Sequence, residues 1–383
     1  MKTNLIYILG MMCLSGTVSA QTTVNYTEFE QKVLDYSQTL KQSVSQRTAM
    51  QKAMKAAKTA FFPAVDATGS YQYRINKYDM DFGGMAVPME HDSYSAEVGV
   101  VQPIYAGGSI YHTYKASQIQ SQIADKSVDL TTDNLIYAAE ASYWGTAAQK
   151  EMYKTMCQYV EIISQLTKVL QDKYDDGYIS KTDLIQMQTR LKEAELQRSS
   201  SYQSYQIALQ NMNVLMGLEP DKEVGLVDSI FVELPLPAYV GADAALNVRP
   251  DYAISQLDVD YQKRQVKLAA AKYNPSLSIG FKETWGTQML NISGETMFNS
   301  NVYASVKLPL FHWGARFKST AAQKAILLGK QYALQDKQDQ ITKEVAKAWT
   351  SLTENTRQID IAKENCKLAE ENLDLNTFSY TEG

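Results

Sequence analysis

Two spacings of apolar residues organise this chain, one near 3.5 residues and one of two. From 27 to 61 apolar positions recur with helical spacing, and the pattern stops at Pro63, as helices tend to before proline. Residues 108–173 contain no proline and no cluster of turn residues, which predicts one uninterrupted helix. At 1.5 Å per residue it would run about 100 Å, too long for a compact domain, so it is expected to project as a rod. Ala141, Trp144, Ala148, Met152, Thr155, Tyr159, Ile162, Leu166 and Val169 step by three and four with one slip. Ile341, Val345, Ala348, Leu352, Asn355, Ile359, Ala362, Cys366, Ala369 and Leu373 do so without a break. Leu184, Met187, Leu191, Ala194, Tyr205, Leu209 and Met212 give a returning helix the same spacing. Such sustained periodicity predicts helices packed side by side as in a coiled coil. Many of these positions are Ala, Thr, Tyr or Asn, which suits a broad layer of helices around a wide space better than a tight two-stranded seam. On this reading Cys366 is a packed thiol rather than a reactive one.

The period of two appears in four short stretches. Val65, Ala67, Gly69, Tyr71 and Tyr73 alternate with Asp66, Thr68, Ser70, Gln72 and Arg74. Ala96, Val98 and Val100 stand opposite Ser95, Glu97 and Gly99 within residues 94–103. Leu277, Ile279 and Phe281 alternate with Ser276, Ser278, Gly280 and Lys282, and Val302, Ala304, Val306 and Leu308 with Tyr303, Ser305 and Lys307. Strands of about ten residues span a bilayer when tilted, although a half-buried soluble sheet gives the same alternation. Four strands cannot close around a lumen, and an open sheet edge is not tolerated in lipid. If these strands are membrane-embedded, several copies of the chain must pool them. The connections 75–93 and 286–299 are rich in Gly, Asn, Asp and Met and are expected to face outward.

The chain is also duplicated. Phe62-Pro63-Ala64-Val65 with Gly69-Ser70-Tyr71 is matched by Asn274-Pro275-Ser276-Leu277 with Ile279-Gly280-Phe281. Gln102-Pro103-Ile104-Tyr105 with Gly108 is matched by Leu308-Pro309-Leu310-Phe311 with Gly314, 206 residues later. Ala141-Ser142-Tyr143-Trp144 corresponds to Ala346-Lys347-Ala348-Trp349 at 205, and Tyr174-Asp175-Asp176-Gly177 to Tyr380-Thr381-Glu382-Gly383 at 206. Ordered matches at a nearly constant offset identify a tandem repeat. The expected organisation is an export segment at 1–20, a first repeat at 21–218, a crossover at 219–242 carrying Pro220, Pro235 and Pro237, and a second repeat at 243–383. Trp144 and Trp349 hold equivalent places and are explained by helix packing.

Between the two long helices of the first repeat, Asp175-Asp176-Gly177-Tyr178-Ile179 reads as a tight turn. Gly177 fits the left-handed position that ends a helix. Ser180 caps the next helix, and Asp183, three residues on, completes a capping-box pair. For Asp183, that cap and a further role stay open at this point.

Lys2, the apolar run Leu5–Val18 and the small-x-small site Val18-Ser19-Ala20 ahead of Gln21 have the form of a secretory leader. The run is short for a spanning helix, which needs about 20 apolar residues. Cys13 follows the bulky Met12 and reads as discarded with the leader rather than lipidated, which leaves Cys157 and Cys366. Of 383 residues 45% are apolar, so a sizeable core is available and disorder is disfavoured. Nine Pro and nineteen Gly favour long unbroken elements. With 37 Lys plus Arg against 42 Asp plus Glu, the net charge of −5 argues against a nucleic-acid partner. Three Cys make no disulfide framework, and the scattered His91, His112 and His312 make no metal site. The common motifs for zinc hydrolysis, nucleotide binding and nucleophilic serine are absent, so neither an enzyme nor a cofactor is expected. Lys52, Lys55 and Lys58 read as a solvated helix face rather than a lipid contact. Phe311 and Trp313 read equally as aromatic-belt anchors or as core.

These features together resemble the TolC-like outer-membrane efflux proteins. The resemblance rests on the leader, the duplicated helix–strand–strand–helix unit, the Tyr-x-x-Gly turns and Gln102-Pro103-Ile104-Tyr105 with Gly107-Gly108. Leu308-Pro309-Leu310-Phe311 with Gly314, and Asn247-Val248-Arg249-Pro250-Asp251, add to it; it extends from about residue 25 to 383. It implies a mainly α fold with a small β part: long-helix hairpins forming an α-barrel, and four transmembrane strands contributing to a trimeric twelve-stranded barrel. It further implies an outer-membrane homotrimer in contact with lipid, with a long periplasmic extension. That trimer would passively conduct substrates delivered by an inner-membrane transporter through a periplasmic adaptor, in efflux or type I secretion. Tyr174, Gly177, Tyr178, Ser180 and Gly383 then mark the periplasmic tip that docks the adaptor, and Asp183 matches an aspartate near the tunnel end that tightens the closed tip. The family carries a return helix and gate carboxylates after the second turn, whereas this sequence stops at Gly383, so a truncated second repeat is expected. An exported coiled-coil spacer or adhesin without a pore is the alternative, but it has no reason to carry two matched strand pairs.

Overall fold

A computed structural model describes residues 22–76, 79–88, 90–232, 235–287 and 295–382. The leader assigned to 1–20 and the turn residue Gly383 lie outside the described residues. In chain order the elements are β1 (Thr22–Val24), α1 (Tyr26–Tyr36), α2 (Gln38–Thr59), β2 (Ala64–Tyr73), β3 (Asp79–Phe82), β4 (Met85–Pro88), β5 (Asp92–Ala106), α3 (Ser109–Asp175) and α4 (Lys181–Leu215). They continue with β6 (Val224–Leu226), α5 (Ala242–Val248), α6 (Pro250–Ala271), β7 (Ser276–Gly286), β8 (Met297–Lys307) and α7 (Ala315–Glu382). The fold is mainly helical with a smaller sheet component. A 22-residue helix, two strands and a very long helix occur twice, the long helices having 67 and 68 residues. Among the described residues no helix is long and apolar enough to cross a membrane.

Two details differ from the sequence pattern. The helical stretch at 27–61 is two helices, broken at Ser37, where ψ is 115° although its N–H still bonds Val33 O at 3.0 Å. Periodicity misses the break because both flanking helices keep their spacing. The connection 75–93 carries the β3–β4 hairpin, closed by Gly83-Gly84.

The chain divides into two compact units, residues 1–38 with 132–234 and residues 39–131 with 235–383. The first is built on one apolar cluster. Val24, Phe29, Val33, Ala139, Tyr143, Ala147, Leu209 and Met212 pack together there with Val224 and Leu226. These side chains come from α1, α3, α4 and the small parallel sheet β1–β6. Parallel pairing needs a long crossover, and here α1, α3 and α4 belong to it. The Tyr143 hydroxyl is fully buried and donates to Asp228 Oδ2 at 2.8 Å and approaches Val24 O at 3.1 Å. Asp228 Oδ2 also accepts from Tyr26 N at 2.7 Å. Trp144 stacks on Tyr26 with ring centroids 6.1 Å apart, the packing role expected for it. Gly217 (φ 74°) ends α4 and abuts Tyr36 so closely that a Cβ would lie 2.3 Å from the ring. Buried Asn213 donates to Pro220 O at 3.0 Å and Lys222 O at 2.7 Å, fixing the chain as it leaves α4.

In this unit the buried face of α3 is not the expected stripe. Tyr143, Thr146, Ala147 and Val160 are buried, whereas Met152, Tyr159, Ile162, Leu166 and Val169 are exposed. On α4, Leu184, Ala194, Leu209 and Met212 are buried as the spacing predicts. The α3 helix thus has two apolar faces, and among the described residues only one is covered.

The second unit joins α6 to α7 and carries the larger sheet. Arg249, just before Pro250, bonds Asp251 twice, at 3.0 and 2.8 Å, and reaches Glu344 Oε2 on α7 at 2.6 Å. Lys337 lies 3.7 Å from Asp251 Oδ2. Burial pushes the Asp251 carboxyl up, but Arg249 and Lys337 outweigh it and hold the pKa below the ordinary carboxylate value. The same contacts raise that of Arg249. Gln262 donates to Gln323 O at 3.2 Å and Oε1 at 2.8 Å, and Lys330 pairs with Asp258 at 2.8 Å. Further along α7, Leu352, Ile359, Cys366 and Leu373 are exposed, so the packed environment expected for Cys366 is not provided by the described residues. Trp349 meets Tyr239 at 5.1 Å.

Candidate functional site

The larger sheet has the order β2-β5-β7-β8, antiparallel throughout. Its register lines residues into rows. Val65, Val100, Phe281 and Val302 form one row across all four strands; Gly69, Ala96, Trp285 and Phe298 form another on the same face. Between the rows of the opposite face, Asp66, Gly99, Lys282 and Asn301 align, as do Thr68, Glu97, Thr284 and Asn299. A Lys282–Glu97 ion pair of 2.5 Å runs diagonally across that polar face. Polar residues interrupt the apolar face where Glu283 pairs with Ser300 and where Gln102 stands opposite Ile279.

Both faces are open. Val302 is 84% exposed and Phe298 74%, and every residue of β2 and β8 is exposed. A water-soluble antiparallel sheet normally packs one face onto a core, and here nothing among the described residues covers the apolar face. β2 and β8 each have one neighbour in the sheet and present a free edge on the other side. Free edges and a contiguous apolar face both call for a partner surface. Just past β8, Phe311 and Trp313 stack edge-on at 4.9 Å, with Trp313 84% exposed. The structure therefore takes them out of the core of this chain.

The turn between α3 and α4 is the second place of interest. Tyr178 N bonds Lys173 O at 2.8 Å and Gly177 N bonds Tyr174 O at 3.0 Å, with Gly177 at φ 83°. These bonds satisfy carbonyls that the helix end leaves open. Ser180 Oγ accepts from Asp183 N at 3.2 Å, and Asp183 Oδ2 accepts from Ser180 N at 3.2 Å and from Ser180 Oγ at 2.8 Å, a complete capping box. Tyr174, Gly177, Tyr178, Ser180 and Asp183 thus share one compact turn, with Tyr178 exposed. Gly383, assigned to an equivalent turn, lies outside the described residues. The Tyr143–Asp228 and Arg249–Asp251–Glu344 networks left no local signal in the sequence, although Arg249 and Asp251 lie within Asn247-Val248-Arg249-Pro250-Asp251. Among the described residues no group of His, Cys, Asp and Glu is placed to hold a metal.

Comparison with known proteins resolves what this arrangement belongs to. Residues 30–218 and 241–383 match the family described as outer membrane efflux protein. The chain belongs to that family. Alkaline protease secretion protein AprF of Pseudomonas aeruginosa is 21% identical over 278 residues, which are 70% of this chain and 57% of AprF. The chain thus spans little more than half the length of that relative. Among solved structures, a membrane protein from Pseudomonas aeruginosa superposes with a TM-score of 0.80 at 14% identity, covering 94% of this chain and 83% of that one. The outer membrane protein VceC from Vibrio cholerae gives 0.78 at 15%, covering 94% and 86%. At such identities the structural likeness establishes the fold of this efflux-family chain, and the family match places it among outer-membrane transport proteins.

Proposed function

We propose that the chain is one subunit of a homotrimeric outer-membrane channel-tunnel. It would passively conduct substrates handed over by an inner-membrane transporter and a periplasmic adaptor, in efflux or type I secretion. The observation that carries this reading is the four-stranded sheet with an uncovered apolar face and two free edges. In lipid such edges must be paired, and joining β8 of one copy to β2 of the next does so. Two copies would give eight strands, an interior that side chains can fill; three would give twelve, and since diameter grows with strand number the wider barrel would leave room for water along its axis. The polar face carrying Lys282, Glu97 and Asn301 would line that lumen, and the Val302 row would meet lipid.

The helices would continue the passage into the periplasm, the tandem repeats supplying equivalent staves of its wall. Tyr174, Gly177, Tyr178 and Ser180, with Gly383 in the second repeat, would form the tip against the adaptor, and Asp183 would add a gating contact to its cap. The test is reconstitution in planar bilayers. Discrete conductance steps are expected; well-folded trimers that insert without conducting would overturn the reading. Asp183→Ala should raise conductance if the aspartate restrains the tip and leave it unchanged if it only caps α4.

A further inference from the structure

In the second unit an open cleft of about 480 Å³ lies between α3 and α6. Lys115, Gln118 and Ile119 line it from α3, and Lys263, Arg264 and Lys267 from α6. On each helix these positions recur at three and four residues, so one face of each supplies the wall. The chain as a whole is acidic, at −5, yet this cleft gathers four cations around a single carboxylate, Asp260. That carboxylate is already taken by Lys263, at 2.8 Å. Lys115 Nζ donates to the neutral Gln118 Oε1 at 3.0 Å. Among the described residues neither Arg264 nor Lys267 has a carboxylate within ion-pair distance.

One turn before Lys115, His112 feels the excess of positive charge. Its pKa is pushed down by burial first and then by Arg264 and Lys267. Three uncompensated cations held beside one another repel, and an anion seated among them relieves the repulsion. Arg264 offers a planar fork suited to two oxygens at once, while Lys115 and Lys267 offer mobile point charges.

The location adds a source for that anion. Lys115 stands six residues into α3, which follows β5 almost directly, and Lys267 lies four residues before the end of α6, which leads into β7. Along the helix axes this is about 10 Å or less from the ends of the strands.

We propose that the Lys115–Arg264–Lys267 cleft binds a phosphate group, carried by a phospholipid headgroup or free in solution. The headgroup source rests on reading the sheet as membrane-spanning, because only then does the cleft sit at headgroup depth. The free-phosphate source needs only the folded chain.

The experiment compares the full chain in detergent with Arg264→Gln/Lys267→Gln, with Lys115→Gln as an independent variant, and with Lys52→Gln/Lys55→Gln on the exposed face of α2 as control. Inorganic phosphate is titrated by 31P NMR, and retained phosphatidylglycerol and phosphatidylcholine are counted by native mass spectrometry. Saturable phosphate binding is expected in the native chain and the control. Loss of charge-assisted bonds should weaken it about tenfold or more in the double variant. Preferential retention of phosphatidylglycerol, lost in the same variant, assigns the site to headgroups; phosphate binding without lipid preference assigns it to a soluble phosphate. Identical phosphate titrations in native and substituted chains would overturn the site. Normal bilayer conductance alongside that result would leave the channel reading standing.

Discussion

Tyr143 shows how one hydroxyl ties distant parts of the chain together. Its ring lies within the apolar cluster of the first unit, and its oxygen joins β1 and the stretch after β6 through Val24 O and Asp228. Burial, followed by the hydrogen bond to the Asp228 carboxylate, pushes its pKa up to about 12. A folded-state value above the ordinary 10.0 means that stability is intact below that pH and declines as pH rises towards and through 12. Tyr143→Phe should lower unfolding stability by about 1–3 kcal/mol and remove part of the alkaline decline, both read from thermal melts across pH. Asp251 carries the opposite sign. Its depressed pKa gives stability that is full above the ordinary value of 3.8 and lost as pH falls through the lower folded value. Asp251→Asn should flatten the acid limb of the melting profile and cost about 1–3 kcal/mol at neutral pH. Neither network was legible in the sequence. Tyr143 and Asp228 are 85 residues apart and Arg249 and Glu344 are 95, and no local rule couples such separations. The Ser180–Asp183 cap was legible because its partners sit three residues apart and the backbone supplies the other half of each bond.

Among the elements, the helices followed their periodicity in existence and, apart from the break at Ser37, in extent, but only partly in facing. The α4 pattern matched its buried side at Leu184, Ala194, Leu209 and Met212, although Ile185, Leu196 and Ile207 stand exposed on the same helix. Along α3 and α7 apolar residues occupy more than one face, so spacing alone could not say which face the same chain covers. Tyr143, Thr146 and Ala147 took the intrachain side, and Met152, Tyr159 and Ile162 were left exposed. Small and aromatic seam residues are what a helix with neighbours on two sides needs. The turn between α3 and α4 makes a sharper prediction. Ser180 and Asp183 satisfy orphan N–H groups of α4 reciprocally, so Ser180→Ala or Asp183→Ala should each cost about 1 kcal/mol. Because the cap is exposed and terminal, the loss should show as faster amide exchange over 181–184 with little change in global melting. Gly177→Ala should fray the end of α3 in the same assay, since φ 83° strains any residue with a Cβ.

At the scale of the whole molecule the sheet decides what the chain requires of its surroundings. Its alternation was readable because a period of two puts every second residue on one face. The strand order and the cross-strand rows were not, because they depend on which strands pair. That β5 is joined to β7, not only to β2, is what aligns Val65, Val100, Phe281 and Val302 into a band. Val302 is the central residue of the eleven in β8, and Asn301 beside it points to the other face. If the band meets lipid at mid-depth, Val302→Arg should destabilise the assembled barrel by about 2–4 kcal/mol. Asn301→Arg, facing water in the lumen, should be tolerated and should alter ion selectivity instead. Heat-dependent trimer dissociation on gels and bilayer recordings separate the two outcomes. A soluble sheet covered by another protein would also reject arginine at 302, but it would give no selectivity change at 301. The pair of substitutions therefore tests the lumen and the lipid face together, one residue apart on the same strand.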